Sequence, residues 1–410
     1  MLTREHLLQL DRQDPLAALR DQFVLPAGTI YLDGNSLGAM PRAAADRVRR
    51  TLDHDWSQAL VRSWNSAGWV DLPQRVGDRI GRLIGAREGE TLACDSTSVN
   101  LFKLLSLAVK LRPGRKLILS DCENFPTDLY IAEGLSALLG GGLELRSVSP
   151  GEIEAAIDER VAVVSLSHVN YRNGALYDMA AITQRAHNAG ALMLWDLAHS
   201  AGALPIHLAA CDVDLAVGCG YKYFNGGPGA PAFLYIAQRL QAQASTPLSG
   251  WFGHQRPFDF VPVYAPAAGI SRMLAGTPAI LSIVSLDAAL DVWTGVSMEQ
   301  VRAKSILQCE SFVALVEQWM PGVFELVSPR ESAKRGSQVC LRHAEAWPIM
   351  QALIARGVIG DVRAPDILRF GFTPLYLSYA EVWDAASTLR EIIDADSWRQ
   401  PHYQIRAKVT

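Results

Sequence analysis

The chain opens with leucines at helical spacing among charges (MLTREHLLQLDRQDPLAALRDQF), and from about residue 91 its texture changes. There, short and nearly unbroken apolar runs alternate with amphipathic stretches. Apolar runs without polar alternation are the signature of strands covered on both faces. They predict strands over 116–120 (KLILS), 143–148 (LELRSV), 161–167 (VAVVSLS), 192–196 (LMLWD), 213–218 (VDLAVG) and 230–236 (APAFLYI). Between the earlier runs lie helical patterns such as NLFKLLSLAVKL, ended by Pro113-Gly114, and DMAAITQRAHNAG, ended by Gly190. Strand–helix alternation of this kind predicts an α/β fold with a mainly parallel sheet covered by helices on both faces.

Past residue 285 the pattern shifts. Ser297-Met298-Glu299-Gln300 matches a capping box, and an amphipathic helix is expected from there to about Trp319. A strand at 338–342 (QVCLR) and helices near 347–356 and 379–394 complete a smaller C-terminal α/β unit. The expected division is an N-terminal arm, 1–55, packing on the small domain, a large domain, 56–285, and the small domain, 286–410. A chain of 410 residues exceeds what one core usually fills, so two domains sharing a cleft are expected.

Composition narrows the partners. Hydrophobic residues make up 49% and charged residues 20%, which excludes disorder. Net charge is -4 with Lys and Arg scattered, which leaves no electrostatic footprint for nucleic acid and points to a small-molecule partner. No window approaches the length of a membrane span, and the start lacks the apolar core of a secretory signal, so a cytoplasmic protein is expected. Six separated cysteines without a CxxC pair, and histidines without HExxH, predict reduced thiols and no metal site.

In parallel α/β sheets ligands bind at the carboxyl ends of the strands. Here LMLWD ends at Asp196, with His199 three residues on, and VDLAVG runs into Tyr221-Lys222. TLACD leads into Ser96-Thr97-Ser98, and VAVVSLS ends at Ser167. GCGYKYFNGGPG (218–229) fails as a P-loop, because Tyr223 follows the lysine, and fails as a GxGxxG fingerprint at the same position. Lys222 stands between two tyrosines with no acid in the segment; either its stem packs on the aromatics with the ammonium in water, or its amine is kept neutral for chemistry. An Asp and a Lys, each after a buried strand, suit pyridoxal phosphate. That cofactor needs an amine for a Schiff base, a carboxylate for its ring nitrogen, and hydroxyls and free N–H groups for its phosphate. Thr97, Ser98 and the Tyr221 hydroxyl fit the last role. Each residue alone has a plainer reading: Asp196 as a helix cap, His199 as a core histidine, Thr97 and Ser98 as N-caps.

Over nearly its full length the chain resembles the pyridoxal-phosphate enzymes of the aspartate-aminotransferase fold (fold type I, class-V-like), and within them the kynureninase family. The resemblance rests on YLDGNSLG (31–38), NFPTD (124–128), WDLAHSAG (195–202), YKYFNGGPG (221–229), GWFGH (250–254) and RFGFTPLY (369–376). It implies hydrolytic Cβ–Cγ cleavage of L-kynurenine to anthranilate and L-alanine, with 3-hydroxykynurenine a second substrate of the family. Lys222 would be the Schiff-base lysine and the base at Cα, and Asp196 the partner of the ring nitrogen; adjacency to the lysine alone suggests Tyr221 as a proton donor. Phe125, Pro126, Thr127 and Asp128 of FPTD, with Thr97, Ser98, Ser167, His199 and Tyr221, would surround the cofactor. Trp251 and Thr277 resemble positions that reach the neighbouring subunit's site, which implies a homodimer. Arg369 would hold the substrate α-carboxylate bidentately. Trp64 and Trp251 would form the aryl slot with Ser36 at its mouth, and Trp64 with Thr277 would favour the unhydroxylated ring.

Two rival readings remain open at this level. One is a cysteine desulfurase or small-molecule aminotransferase on the same fold. A desulfurase needs a nucleophilic cysteine on a mobile small-domain loop, which neither Cys340, in a strand-like run, nor Cys309, in a helix, supplies. The other is a silent binding protein that kept the fold, against which the pairing of Lys222 with Asp196 argues.

Overall fold

The computed structural model describes residues 2–407. Seven strands form the central sheet: β1 (Thr91–Ala93), β2 (Leu117–Asp121), β3 (Glu144–Val148), β4 (Val161–Ser167), β5 (Leu192–Asp196), β6 (Leu215–Cys219) and β7 (Ala232–Ile236). Their order is β1-β7-β6-β5-β4-β2-β3. The pairs β2–β3, β2–β4, β4–β5 and β5–β6 are parallel, as the strand–helix alternation predicts. Strand β7 runs antiparallel to both of its neighbours. The reversal has a local cause: only the loop 220–231, with no helix, joins β6 to β7, and a parallel partner needs a crossover.

Residues on β5 alternate between two apolar layers. Leu192 and Leu194 pack with Leu101, Leu104 and Leu105 of helix α4 (Thr97–Leu111). Met193 and Trp195 pack on the other face with Ile182 and Ala186 of α6 (Met179–Asn188). Successive side chains on a strand point to opposite faces, so a run apolar at every position places this sheet between two helical layers. The other longer α-helices among the described residues are α1 (Arg4–Arg12), α2 (Arg42–Arg50), α3 (Leu72–Leu83), α5 (Pro126–Leu138), α7 (Ile280–Ala289), α8 (Met298–Trp319), α9 (Ala346–Ala355) and α10 (Tyr379–Asp394).

The C-terminal part builds a four-stranded antiparallel sheet from β8 (Glu325–Leu326), β9 (Gln338–Arg342), β10 (Asp361–Arg363) and β11 (Ile367–Gly371), in the order β8-β9-β11-β10. Ser297 caps α8, accepting from the Glu299 and Gln300 N–H groups, but its hydroxyl bonds the Glu299 carboxylate. The reciprocal box forms instead at α10, between Ser378 and Glu381. Helix α1 lies on α10, whose first N–H groups, those of Tyr379 and Ala380, donate to the Asp11 carboxylate. Helix α2 packs on α7.

Residues 30–38 run between the two parts. Ile30 and Leu32 donate to the Gly357 and Ile359 carbonyls, Gly371 donates to Leu32, and Gly38 donates to the Tyr221 carbonyl. A strap thus ties the small sheet to the lysine loop. No single helix among the described residues is long and apolar enough to cross a membrane.

Candidate active site

The carboxyl ends of β4, β5 and β6 and the starts of α4 and α5 converge on one cavity of about 660 Å³. Lys222, three residues past β6, is half-buried in its wall with Nζ 3.0 Å from His199 Nε2. Burial lowers the Lys222 pKa from the ordinary lysine value, although Cys219 and Asp196 pull the other way. Burial also drives His199 well below its ordinary value, and the charge of Lys222 adds to this, so the imidazole is neutral. Its Nδ1 is buried with no hydrogen-bond partner.

Asp196 is the last residue of β5, and its Oδ1 accepts from the Ala198 N–H at 2.8 Å. Asp128 sits in the first turn of α5, with Oδ2 buried and unpartnered. Burial raises both carboxyls, and for Asp128 the neighbouring Asp196 charge raises it further. Two such carboxyls beside a cavity suit a cationic group that would draw them into the charged form, as a protonated pyridine nitrogen does.

At the opposite end, the Ser96 hydroxyl accepts from the Val99 N–H. The Thr97 and Ser98 N–H groups find no protein acceptor among the described residues and stand free with their hydroxyls at the start of a 15-residue helix, where an anion is favoured. Phe125 is 38% exposed and lies edge-on to Tyr171 at 5.1 Å, leaving a flat ring bare to the cavity. Ser167 donates to Asn124 Oδ1 at 2.7 Å. Tyr221 lines the cavity with Lys222 Nζ 5.8 Å from its ring centre, and burial raises its phenol pKa. Orphaned polar atoms, a half-buried amine, paired carboxyls and a free helix start together fit pyridoxal phosphate.

Of the residues singled out in the sequence, Thr97, Ser98, Phe125, Thr127, Asp128, Ser167, Asp196, His199, Tyr221, Lys222 and Thr277 line this cavity. Five do not. Pro126 opens α5 and serves the backbone there. Trp64 packs on Trp69 and Phe252, and Trp251 on Phe252, Phe258 and Phe260, so the two tryptophans join one aromatic cluster away from the lysine within a single chain. Ser36 and Arg369 lie together behind the wall: Arg369 donates to Ser36 Oγ at 2.7 Å, to the Tyr171 carbonyl at 2.6 Å and through Nε to Asp361 at 2.8 Å. The guanidinium is almost wholly occupied by the protein itself. Thr277 lines the cavity of its own chain.

Sequence reasoning missed Tyr171, Asp95 and all of the 274–279 wall except Thr277, all lining the cavity, and Asp361, which faces Arg369 across β10 and β11. The motif DVRAPD carried a signal for Asp361, a carboxylate eight positions before the arginine, with a turn-forming proline between them.

The profile described as "Kynureninase C-terminal domain" matches residues 301–389. A protein of Burkholderia pseudomallei named Kynureninase is 52% identical over 416 residues, covering all of both chains. One of Pseudomonas fluorescens with the same name is 51% identical over the same span. Among solved structures, a cysteine desulfurase from Thermococcus onnurineus matches with a TM-score of 0.80 at 18% identity, covering 92% of this chain and 98% of that one. A C-DES variant with glycine covalently linked to its PLP cofactor matches with a TM-score of 0.78 at 18% identity, covering 91% and 99%.

Proposed function

The chain belongs to the kynureninase family, and on that footing we propose how its residues divide the hydrolysis of L-kynurenine into anthranilate and L-alanine. Pyridoxal phosphate, when bound, supplies an electron-withdrawing ring that stabilises negative charge at Cα. Thr97 and Ser98 would hold its phosphate, Phe125 would stack on it, Asp196 would pair with its protonated nitrogen, and Lys222 would be the anchoring amine.

Lys222 moves the Cα proton, and its burial favours the free amine that this needs. Neutral His199 holds that amine against the cavity through the 3.0 Å contact. Water adds to the γ-carbonyl, the Cβ–Cγ bond breaks with its electron pair on Cβ, and Tyr221 donates a proton there. Its raised pKa keeps the phenol protonated at neutral pH. Arg369, tied to the cavity wall through the Tyr171 carbonyl, would take the α-carboxylate by exchanging its Ser36 or Tyr171 contact for it.

A homodimer completes the aryl end. Phe260 and Val263 stand 74% and 75% exposed on the loop that packs against Trp251, and a second copy is the occupant we assign to that ridge. Six unpaired cysteines suit a reducing cytoplasm.

The observation that carries this reading is the half-buried Lys222 amine, with a lowered pKa, on a cavity shared with Asp196. Purified protein should be yellow, borohydride should fix the cofactor to Lys222, and kynurenine should yield fluorescent anthranilate, compared side by side with its 3-hydroxy analogue. Sulfide released from cysteine, with no anthranilate from kynurenine and no 3-hydroxyanthranilate from its analogue, would establish a desulfurase instead.

A further inference from the structure

Lys103 lies in the second turn of α4 with a side chain that is 0% exposed. A core position of this kind is normally filled by an apolar residue, because a buried ammonium is costly unless paired. Its Nζ has two partners: Asp95 Oδ2 at 2.5 Å and the Met273 carbonyl at 2.6 Å. Both lead into the cavity from opposite sides. Asp95 lines it two residues before Thr97, in the left-handed region at φ 50°, and Met273 directly precedes the wall from Leu274 to Ala279.

Without Lys103, Asp95 would present an uncompensated negative charge beside the free start of α4. We infer that Lys103 is a positioning residue for the cofactor phosphate: it cancels the Asp95 charge there and pins that helix start to the 274–279 wall. The inference rests on Thr97 and Ser98 receiving that phosphate.

Lys103→Gln retains hydrogen-bond donors on a slightly shorter side chain and removes the charge. Cofactor retention, read by absorbance during dialysis, should fall, with the dissociation constant for pyridoxal phosphate rising by about tenfold. The kcat at saturating cofactor should stay near that of the unaltered enzyme. In the Asp95→Asn/Lys103→Gln double variant no charge is left unpaired, and retention should return to within about threefold of the starting value. A packing role would give no such rescue. Retention by Lys103→Gln equal to the unaltered protein, or a double variant as loose as the single one, overturns the inference. Should Lys103→Gln fail to fold, the double variant decides, supporting it by holding the cofactor and overturning it by losing it. The unaltered protein is treated with borohydride in parallel. If it acquires no cofactor at Lys222, the site reading has failed rather than the role of Lys103.

Discussion

Removing the Arg369 side chain would leave Asp361 buried, at 4% exposure, with Arg363 and Ser36 as its remaining partners. Breaking a buried pair by deleting one member costs more than the pair is worth, because the other charge stays desolvated. Arg369→Leu is therefore expected to lower unfolding free energy by about 3 kcal/mol, measured in urea. It should also raise KM for kynurenine by more than about tenfold. A stability loss with KM and kcat unchanged would remove Arg369 from substrate binding and leave it a structural role. His168 gives a second test, through pH. Burial lowers its pKa from 6.5 to about 4, so the folded state keeps it neutral while the unfolded chain takes up a proton. Its contribution is fully present above pH 6.5 and is lost as pH falls towards 4, by about 3 kcal/mol. His168→Gln should flatten that limb of the stability–pH curve; an unchanged slope would mean that other groups set it.

At the scale of elements, the legible parts were those set by local pattern. Strand β4, over VAVVSLS, and β5, over LMLWD, match their apolar runs residue for residue, and the residues after β4, β5 and β6 do meet at one rim. What could not be read depends on contacts distant in sequence. Asp361 meets Arg369 only through hairpin register, and Trp64 reaches Phe252 only once two loops have packed. Strand β7 reverses because its loop carries no helix, which a list of strands does not reveal. GNSLG was recognised as a motif, but its work as a strap was not. A Cβ on Gly38 would lie 2.2 Å from the Lys222 carbonyl oxygen and 2.8 Å from Asn225 Cα. Neither atom belongs to a flexible side chain, so the lysine loop would have to shift. Gly38→Ala should keep the yellow cofactor yet lower kcat by at least about tenfold, since small misplacements of a reacting group are costly. Full kcat in that variant would show that the strap does not set the position of Lys222.

For the molecule as a whole, the question is whether one chain is a complete enzyme. Its cavity already holds the amine, the carboxyls and the free start of α4, whereas Trp64 and Trp251, expected at the aryl end, cluster outside it. The same cluster carries Phe258 at 53% exposure and Phe260 at 74%, an apolar ridge that a lone soluble chain has no reason to leave in water. Charge on that ridge should separate assembly from folding. Phe260→Asp with Val263→Glu touches no buried core, so thermal stability of the single chain should change little. Sedimentation should shift from twice 44.7 kDa to 44.7 kDa, and kcat/KM should fall by more than about tenfold through loss of the partner's aryl contacts. An active monomer would place the whole kynurenine pocket within one chain. A dimer that survives both charges would move the interface away from this ridge.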